Sequence, residues 1–190
     1  MNKKYIKQII LSDFYRYYGN TSKKMYMRYA YTYPNIVFTR YLRLCNFYKE
    51  KSKIKYLWYK YLHRKMFFKY GFQVPVGTTI GKGLYLGHFG NIIVNENAII
   101  GNNVNISQGV TIGQTNRGSK KGCPKIGNNV WIGANSVIVG NITVGDDVLI
   151  APLSYVNIDI PNNSIVMGNP ARIIPKQNAT KDYIENVIKI

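Results

Sequence analysis

Acidic residues, cysteine and histidine are all scarce in this chain, and each shortage excludes something. Eight Asp and Glu face 26 Lys and Arg over 190 residues, a formal net charge of +18. The two cysteines, Cys45 and Cys123, lie far apart in sequence and fit neither a disulfide framework nor a zinc-site spacing. A reducing, cytoplasmic compartment is the simplest expectation. No run approaches 18 consecutive apolar residues, so the sequence predicts no membrane-spanning helix. The opening "MNKKYIKQIILSDF" has the basic start of a secretion signal, but its apolar run, "IIL", is too short for a signal core. With 46% hydrophobic residues the composition is that of a folded protein.

The charge is uneven. Residues 1–72 carry 17 Lys and Arg against Asp13 and Glu50, whereas residues 73–190 carry nine against six. Fourteen of the 17 tyrosines also precede residue 72. This shift predicts a junction near Gly71: a basic, tyrosine-rich helical subdomain over 1–72, a second domain over 73–176, and a tail over 177–190.

A repeat of six begins after the junction. Aliphatic residues open successive units at Ile80 and Leu86, then, after two extra residues, at Val94, Ile100, Ile106 and Ile112. After a loop the register resumes at Ile126, Ile132, Ile138, Val144, Ile150 and Val156. Four residues beyond most openers stands a second small or aliphatic side chain: Leu84, Ala98, Val104, Val110, Val130, Ser136, Ile142, Val148, Ser154. Gly, Asn and Asp pairs such as "GNN" and "GDD" fall between them, and these residues tolerate positive φ at corners. A period of six with two inward positions fits neither a helix nor a simple alternating strand. Stacked units would share one continuous core, and three per turn would form a triangular β-helix.

The leader reads as helical. Phe38, Tyr41, Leu42 and Cys45 follow Pro34 at helical spacing, as Ile54, Leu57, Trp58, Tyr61 and Leu62 do before Gly71. Asp13 and Ser22 are expected helix starts, and Tyr183, Ile184, Val187 and Ile188 suggest a short closing helix in the tail.

The repeat resembles that of the hexapeptide-repeat acyltransferases, which implies a left-handed parallel β-helix over about residues 73–176 with the helical subdomain before it. Within that family, "IGKGLYLGHFGNIIVNENAIIGNNVNISQGVTIG", "PKIGNNVWIGANSVIVGNITVGDDVLI" and "GNPARII" are similar to serine acetyltransferase. The resemblance makes His88 the general base of a direct transfer from acetyl-CoA to a hydroxyl. An imidazole titrates in the range suited to taking that proton as oxygen attacks the thioester. The competing reading of His88 is an ordinary corner residue bonded to solvent.

The departures bear on the acceptor. Serine acetyltransferase has aspartates where this chain has Gly87 and Gln73, and an Arg-His pair where it has Gly122 and Cys123. An amino-acid acceptor needs counter-charges, so "GLYLGHFG", "NISQGVTIGQTNRG" and the basic leader are read instead as similar to O-acetyltransferases of bacterial surface polysaccharide biosynthesis. A sugar or polysaccharide precursor is then the expected acceptor, with Gln73, Tyr85, Phe89 and Cys123 as candidate contacts. Serine as acceptor and a non-catalytic scaffold are the alternatives. Loop 114–124, "QTNRGSKKGCP", is too polar for a coil and is expected to cover the cleft. For acetyl-CoA the resemblance points to Gly113, Gln114 and Thr115 at the thioester arm, and to Gly133, Ala134 and Ala151 where the chain approaches the ligand. It points to Arg172 and Lys176 for the nucleotide phosphates. A Cys123 nucleophile is disfavoured because the family transfers directly.

No metal is expected: the three-histidine zinc site of a γ-type carbonic anhydrase cannot be built from His63 and His88 alone. The resemblance further implies a homotrimer. For the basic leader, peripheral contact with the anionic inner membrane surface ranks above nucleic acid, for which no motif is present.

Overall fold

A computed structural model describes residues 2–189 of the chain. Four helices come first: α1 (Lys3–Tyr18), α2 (Lys23–Tyr29), α3 (Pro34–Tyr48) and α4 (Lys53–Tyr70). Their ends carry the expected chemistry. Asn2 and Ser22 accept hydrogen bonds from Tyr5 and Met25 amides as N-caps, Pro34 opens α3, and Ser52 caps α4. Gly71 ends α4 at φ 73°, a left-handed conformation natural to glycine.

Fifteen short strands follow among the described residues. They are β1 (Phe72–Gln73), β2 (Thr79–Ile80), β3 (Tyr85–Leu86), β4 (Ile92–Val94), β5 (Ile99–Ile100), β6 (Asn105–Ile106), β7 (Thr111–Gly113) and β8 (Lys125–Ile126). Next come β9 (Val130–Ile132), β10 (Val137–Val139), β11 (Thr143–Val144), β12 (Val148–Ile150), β13 (Tyr155–Val156), β14 (Ser164–Met167) and β15 (Arg172–Pro175). They form three sheets that coil in turn: β1-β4-β7-β10-β13, β2-β5-β8-β11 and β3-β6-β9-β12-β14-β15. Every pairing between these strands is parallel except β14 with β15. The result is a left-handed parallel β-helix of about five turns.

The six-residue register accounts for the core. Leu86, Ile100, Ile106, Ile112, Ile126, Ile132, Ile138, Val144, Ile150 and Val156 are buried together with Val94, and Ile80 packs against them at the open end. The second inward positions, Leu84 through Ser154, are buried as well. Serine is tolerated at two of them because the hydroxyls of Ser136 and Ser154 donate to the Ala151 carbonyl at 3.0 and 2.6 Å.

One corner explains the "GNN" and "GDD" pairs. Asn103, Asn129, Asp147 and Asn163 sit there at φ between 52 and 56°. Beside them runs a side-chain ladder: Asn102, Asn128, Asp146 and Asn162 each accept a backbone N–H from the coil below, at 2.5–2.9 Å. Asn and Asp serve both needs at this corner.

Three expectations are corrected. Asp13 does not start a helix; it lies inside α1, buried, because its carboxylate pairs with Arg43 of α3 at 2.8 Å. The tail 177–190 forms no helix where it is described; residues 178–183 make turns whose amides bond to the Asp147 carboxylate and to nearby carbonyls. In α4 the helix is as read, but the stripe Ile54, Leu57, Trp58 and Tyr61 faces solvent, and His63 is the one buried residue.

Candidate active site

Strand β3 is the edge of its sheet, so its outer peptide groups have no strand to pair with. Side chains of α1 and α3 take that role. Ser12 accepts from the Gly83 amide, Asp13 from the Leu84 amide at 2.9 Å, and the Tyr17 hydroxyl from the Leu86 amide at 3.0 Å. In the other direction Arg16 donates to the Gly83 carbonyl, Arg43 to Ile80 and Gly81, and Asn35 to Leu86 and Gly87. Burial lowers Arg16 to about 10 and pushes the Tyr17 phenol upward, so one remains a cation and the other neutral at physiological pH. The helices thus cap the open end of the solenoid and grip the segment that leads into His88.

His88 stands at the corner between β3 and β4, exposed, and among the described residues its imidazole has no hydrogen-bonded or ion-paired partner. Phe89 is 61% exposed beside it, its ring 5.8 Å from Tyr70 in an edge contact. The Gly90 and Ile92 amides donate to the Tyr70 and Gly71 carbonyls, which ties this corner to the end of α4. Gly87 has no positive φ, and a Cβ there would meet only Tyr85 Cε1 at 3.6 Å. The backbone would accept a side chain at 87, so the fold does not impose glycine.

The parallel register stacks the same corner of each coil. Leu86 pairs with Ile106, Ile106 with Ile132, Ile132 with Ile150 and Ile150 with Val166. Two residues on, His88, Gln108, Ala134, Pro152 and Gly168 therefore follow one another up this edge. Ala134 and Ala151 lie on it with His88. Gly133 is buried there, and a Cβ would meet the Pro152 nitrogen at 2.5 Å, so coil packing alone demands this glycine.

Gly113, Gln114, Thr115 and Cys123 occupy the opposite edge of the β1-β4-β7-β10-β13 sheet. There loop 114–124 leaves after β7 as a small hairpin, with Thr115 and Gly122 exchanging backbone bonds at 2.9 and 3.0 Å. The Cys123 thiol donates to Asn95 Oδ1 at 3.3 Å, and Asn95 donates to Gln114 at 3.3 Å. Burial pushes the Cys123 thiol above its ordinary range, which suits a neutral hydrogen-bond donor better than a nucleophile. Lys120 pairs with Asp159 at 2.8 Å on the surface, an exposed pair of little energetic weight. Gln73 is exposed on β1 of the sheet between the two edges. One chain therefore carries two sets of candidate residues, separated by the width of one sheet face.

Tyr85 points outward from β3, its ring 4.5 Å from Tyr17, into a cavity of about 250 Å³ walled by Arg16, Asn105, Trp131 and Tyr183. A groove of about 760 Å³ continues from Trp131 and Tyr183 to Ala151, Pro152 and Lys176. Arg172 is exposed on β15, opposite Met167. Sequence reasoning missed the tail as a groove wall, and it missed Arg16, Tyr17 and Asn35. Their side-chain hydrogen-bond partners lie 51 to 169 residues away, and no local pattern signals such contacts.

Residues 123–157 match the family model described as bacterial transferase hexapeptide (six repeats). The chain is 36% identical over 129 residues to serine acetyltransferase 2 of Arabidopsis thaliana, an alignment covering 62% of this chain and 40% of that protein. The chain thus spans less than half the length of that relative. Among solved structures it superposes on Neisseria gonorrhoeae serine acetyltransferase in complex with serine, with a TM-score of 0.73 and 27% identity, covering 90% of this chain and 70% of that one. It likewise superposes on serine acetyltransferase of Brucella abortus in complex with coenzyme A, with a TM-score of 0.70 and 29% identity, covering 90% and 67%. The expected likeness to the polysaccharide branch is corrected: the relatives found are serine acetyltransferases. By its repeat and its fold, the chain is similar to the hexapeptide-repeat transferases and, among them, to the serine acetyltransferases.

Proposed function

We propose that this protein is an O-acetyltransferase of the serine acetyltransferase type, moving an acetyl group from acetyl-CoA to a hydroxyl, with His88 as general base. The observation that carries the reading is the exposed, unpartnered His88 imidazole at the foot of an edge that continues through Ala134, Ala151 and Pro152 to a groove holding Lys176. In the proposed reaction the imidazole takes the acceptor's proton as its oxygen attacks the thioester carbonyl. The C–S bond then breaks and the imidazolium returns the proton to the departing thiolate, giving an acetyl ester and a free thiol. Small residues along the edge leave room for an extended arm, and Lys176 and Arg172 supply cations for phosphates.

The second set of residues belongs to the same proposal. A neighbouring copy that laid its Gly113–Cys123 edge against the His88 edge would bring the sets together, and three such contacts close a trimer. The outer face of the intervening sheet suits burial, with Ile93 38% exposed and Val137 and Val139 half-buried.

Serine is the acceptor that the relatives' names favour. A neutral hydroxyl acceptor such as a sugar is the second reading, favoured by one observation: Gly87, Gln73 and Cys123 leave no carboxylate or cation at the positions where the serine enzymes are expected to hold an amino acid. Thiol release from acetyl-CoA, measured with the purified chain against serine and against simple sugars, separates the two. Turnover with serine supports the first, turnover with sugars alone the second, and no turnover with any acceptor contradicts both.

A further inference from the structure

Helix α4 carries apolar side chains on both sides: Met66 and Tyr70 pack against the core, while a second row faces outward. Of its 18 residues only His63 is buried, with its ring 4.7 Å from Phe38 of α3. At about 100° per residue the direction opposite His63 belongs to Ile54, Trp58, Tyr61 and Lys65, flanked by Leu57 and Phe68. Ile54 is 82% exposed, Phe68 68%, Trp58 59%, Tyr61 54% and Leu57 53%. Scattered exposed apolar residues need no explanation, but five large ones in a row along one helix form a patch that marks an interaction site.

Charge decides what fits it. Lys60 and Arg64 border the row on one side, Lys55 and Lys69 on the other, and α4 contains no Asp or Glu. The cations lie along their aromatic neighbours: Arg64 Cζ is 5.2 Å from the Phe68 ring centre and Lys65 Nζ is 5.5 Å from that of Tyr61. Of the leader's two acids, Asp13 is buried in its pair with Arg43. A second copy docked here would set one acid-free cationic helix against another, which like-charge repulsion opposes. A nucleic acid would use the cations and the aromatic rings but leave Ile54, the most exposed of the row, without a partner. An anionic bilayer uses every part. Apolar side chains enter the boundary between headgroups and acyl chains, Trp and Tyr suit that depth, and basic side chains reach back to the lipid phosphates.

We propose that α4 is an interfacial helix that lies along an anionic phospholipid surface on the face marked by Ile54, Leu57, Trp58, Tyr61 and Phe68. The helix is about 27 Å long and binds flat on the surface, without crossing it. No described helix is long and apolar enough to span a membrane, in keeping with this arrangement.

The test uses the purified full chain with sedimenting vesicles of phosphatidylcholine alone or mixed with phosphatidylglycerol, at near-physiological salt. The chain is expected to pellet with the anionic vesicles and stay in solution with the neutral ones. The double variant Ile54→Gln, Trp58→Gln is expected to lower the partition about tenfold or more while the thermal melt is unchanged, since both side chains are exposed. Lys60→Glu with Arg64→Glu is expected to lower it as well, which keeps the test open if one variant folds poorly. No pelleting with anionic vesicles, or pelleting that neither variant weakens, would overturn the proposal. So would a loss of self-association in sedimentation velocity, or of RNA binding, that tracks these variants in place of vesicle binding.

Discussion

The side-chain amide of Asn35, on α3, donates to the Leu86 carbonyl at 2.6 Å and reaches the Gly87 carbonyl at 3.3 Å, the two peptide groups just before His88. The leader therefore holds the histidine's approach as a missing coil would. Asn35→Ala should cost about 1–3 kcal/mol, because it removes the donor to part-buried carbonyls. If the contact also positions the base, kcat for thiol release should fall by up to about 100-fold with KM little changed. Stability follows from urea titration and the kinetic split from initial rates. A lowered melting point with unchanged kcat would mark Asn35 as structural alone.

The buried Asp13–Arg43 pair joins α1 to α3 and to the Ile80–Leu84 segment together. Asp13→Ala leaves the Arg43 guanidinium buried without its carboxylate and should cost about 3–5 kcal/mol. Chemical denaturation at neutral pH reads this directly, and a loss under 1 kcal/mol would show that water or another group takes the carboxylate's place.

Burial holds His63 down to about 4, from an ordinary value near 6.5. The unfolded chain then binds a proton that the folded chain does not between those two values, so stability is full above pH 6.5 and falls as pH drops toward 4. The loss from this group is about 3 kcal/mol. His63→Phe keeps a ring against Phe38 and should flatten that part of the acid side of the stability curve. Unfolding midpoints for both proteins between pH 7 and 4 make the comparison. Parallel curves would contradict a buried neutral imidazole.

Gly87→Asp should fold with an unchanged melting point, since the position has ordinary φ and an open Cβ direction. If the site takes serine weakly for want of a counter-charge, the new carboxylate should raise kcat/KM for serine by about tenfold, the worth of roughly 1.4 kcal/mol. An unaltered ratio between serine and sugar acceptors would remove Gly87 from the account of specificity.

Much of this architecture can be read along the chain, because the β-helix depends on positions six residues apart. Ile100, Ile106 and Ile112 bury as their spacing requires, and Asn103 and Asn129 occupy corners that their short amides favour. The leader is only half legible. Periodicity shows that residues 53–70 form a helix, but it cannot show which side meets the body, and His63 rather than Trp58 turns inward. The grip of Tyr17 and Asn35 on β3 depends on residues more than 50 positions apart and on an edge strand whose existence is a tertiary fact. The candidate site shows the same limit. His88 stands out in the sequence, yet nothing in the spacing reveals that it and Cys123 lie on opposite edges of one sheet.

The central claim concerns His88, and thiol release from acetyl-CoA by the purified chain tests it most directly. His88→Ala, compared with the unmodified chain at saturating acceptor, should lower kcat by about 100- to 10,000-fold with the fold and melting point intact. Cys123→Ala in the same assay should keep most of its turnover. A His88→Ala protein that turned over at the original rate would contradict the account.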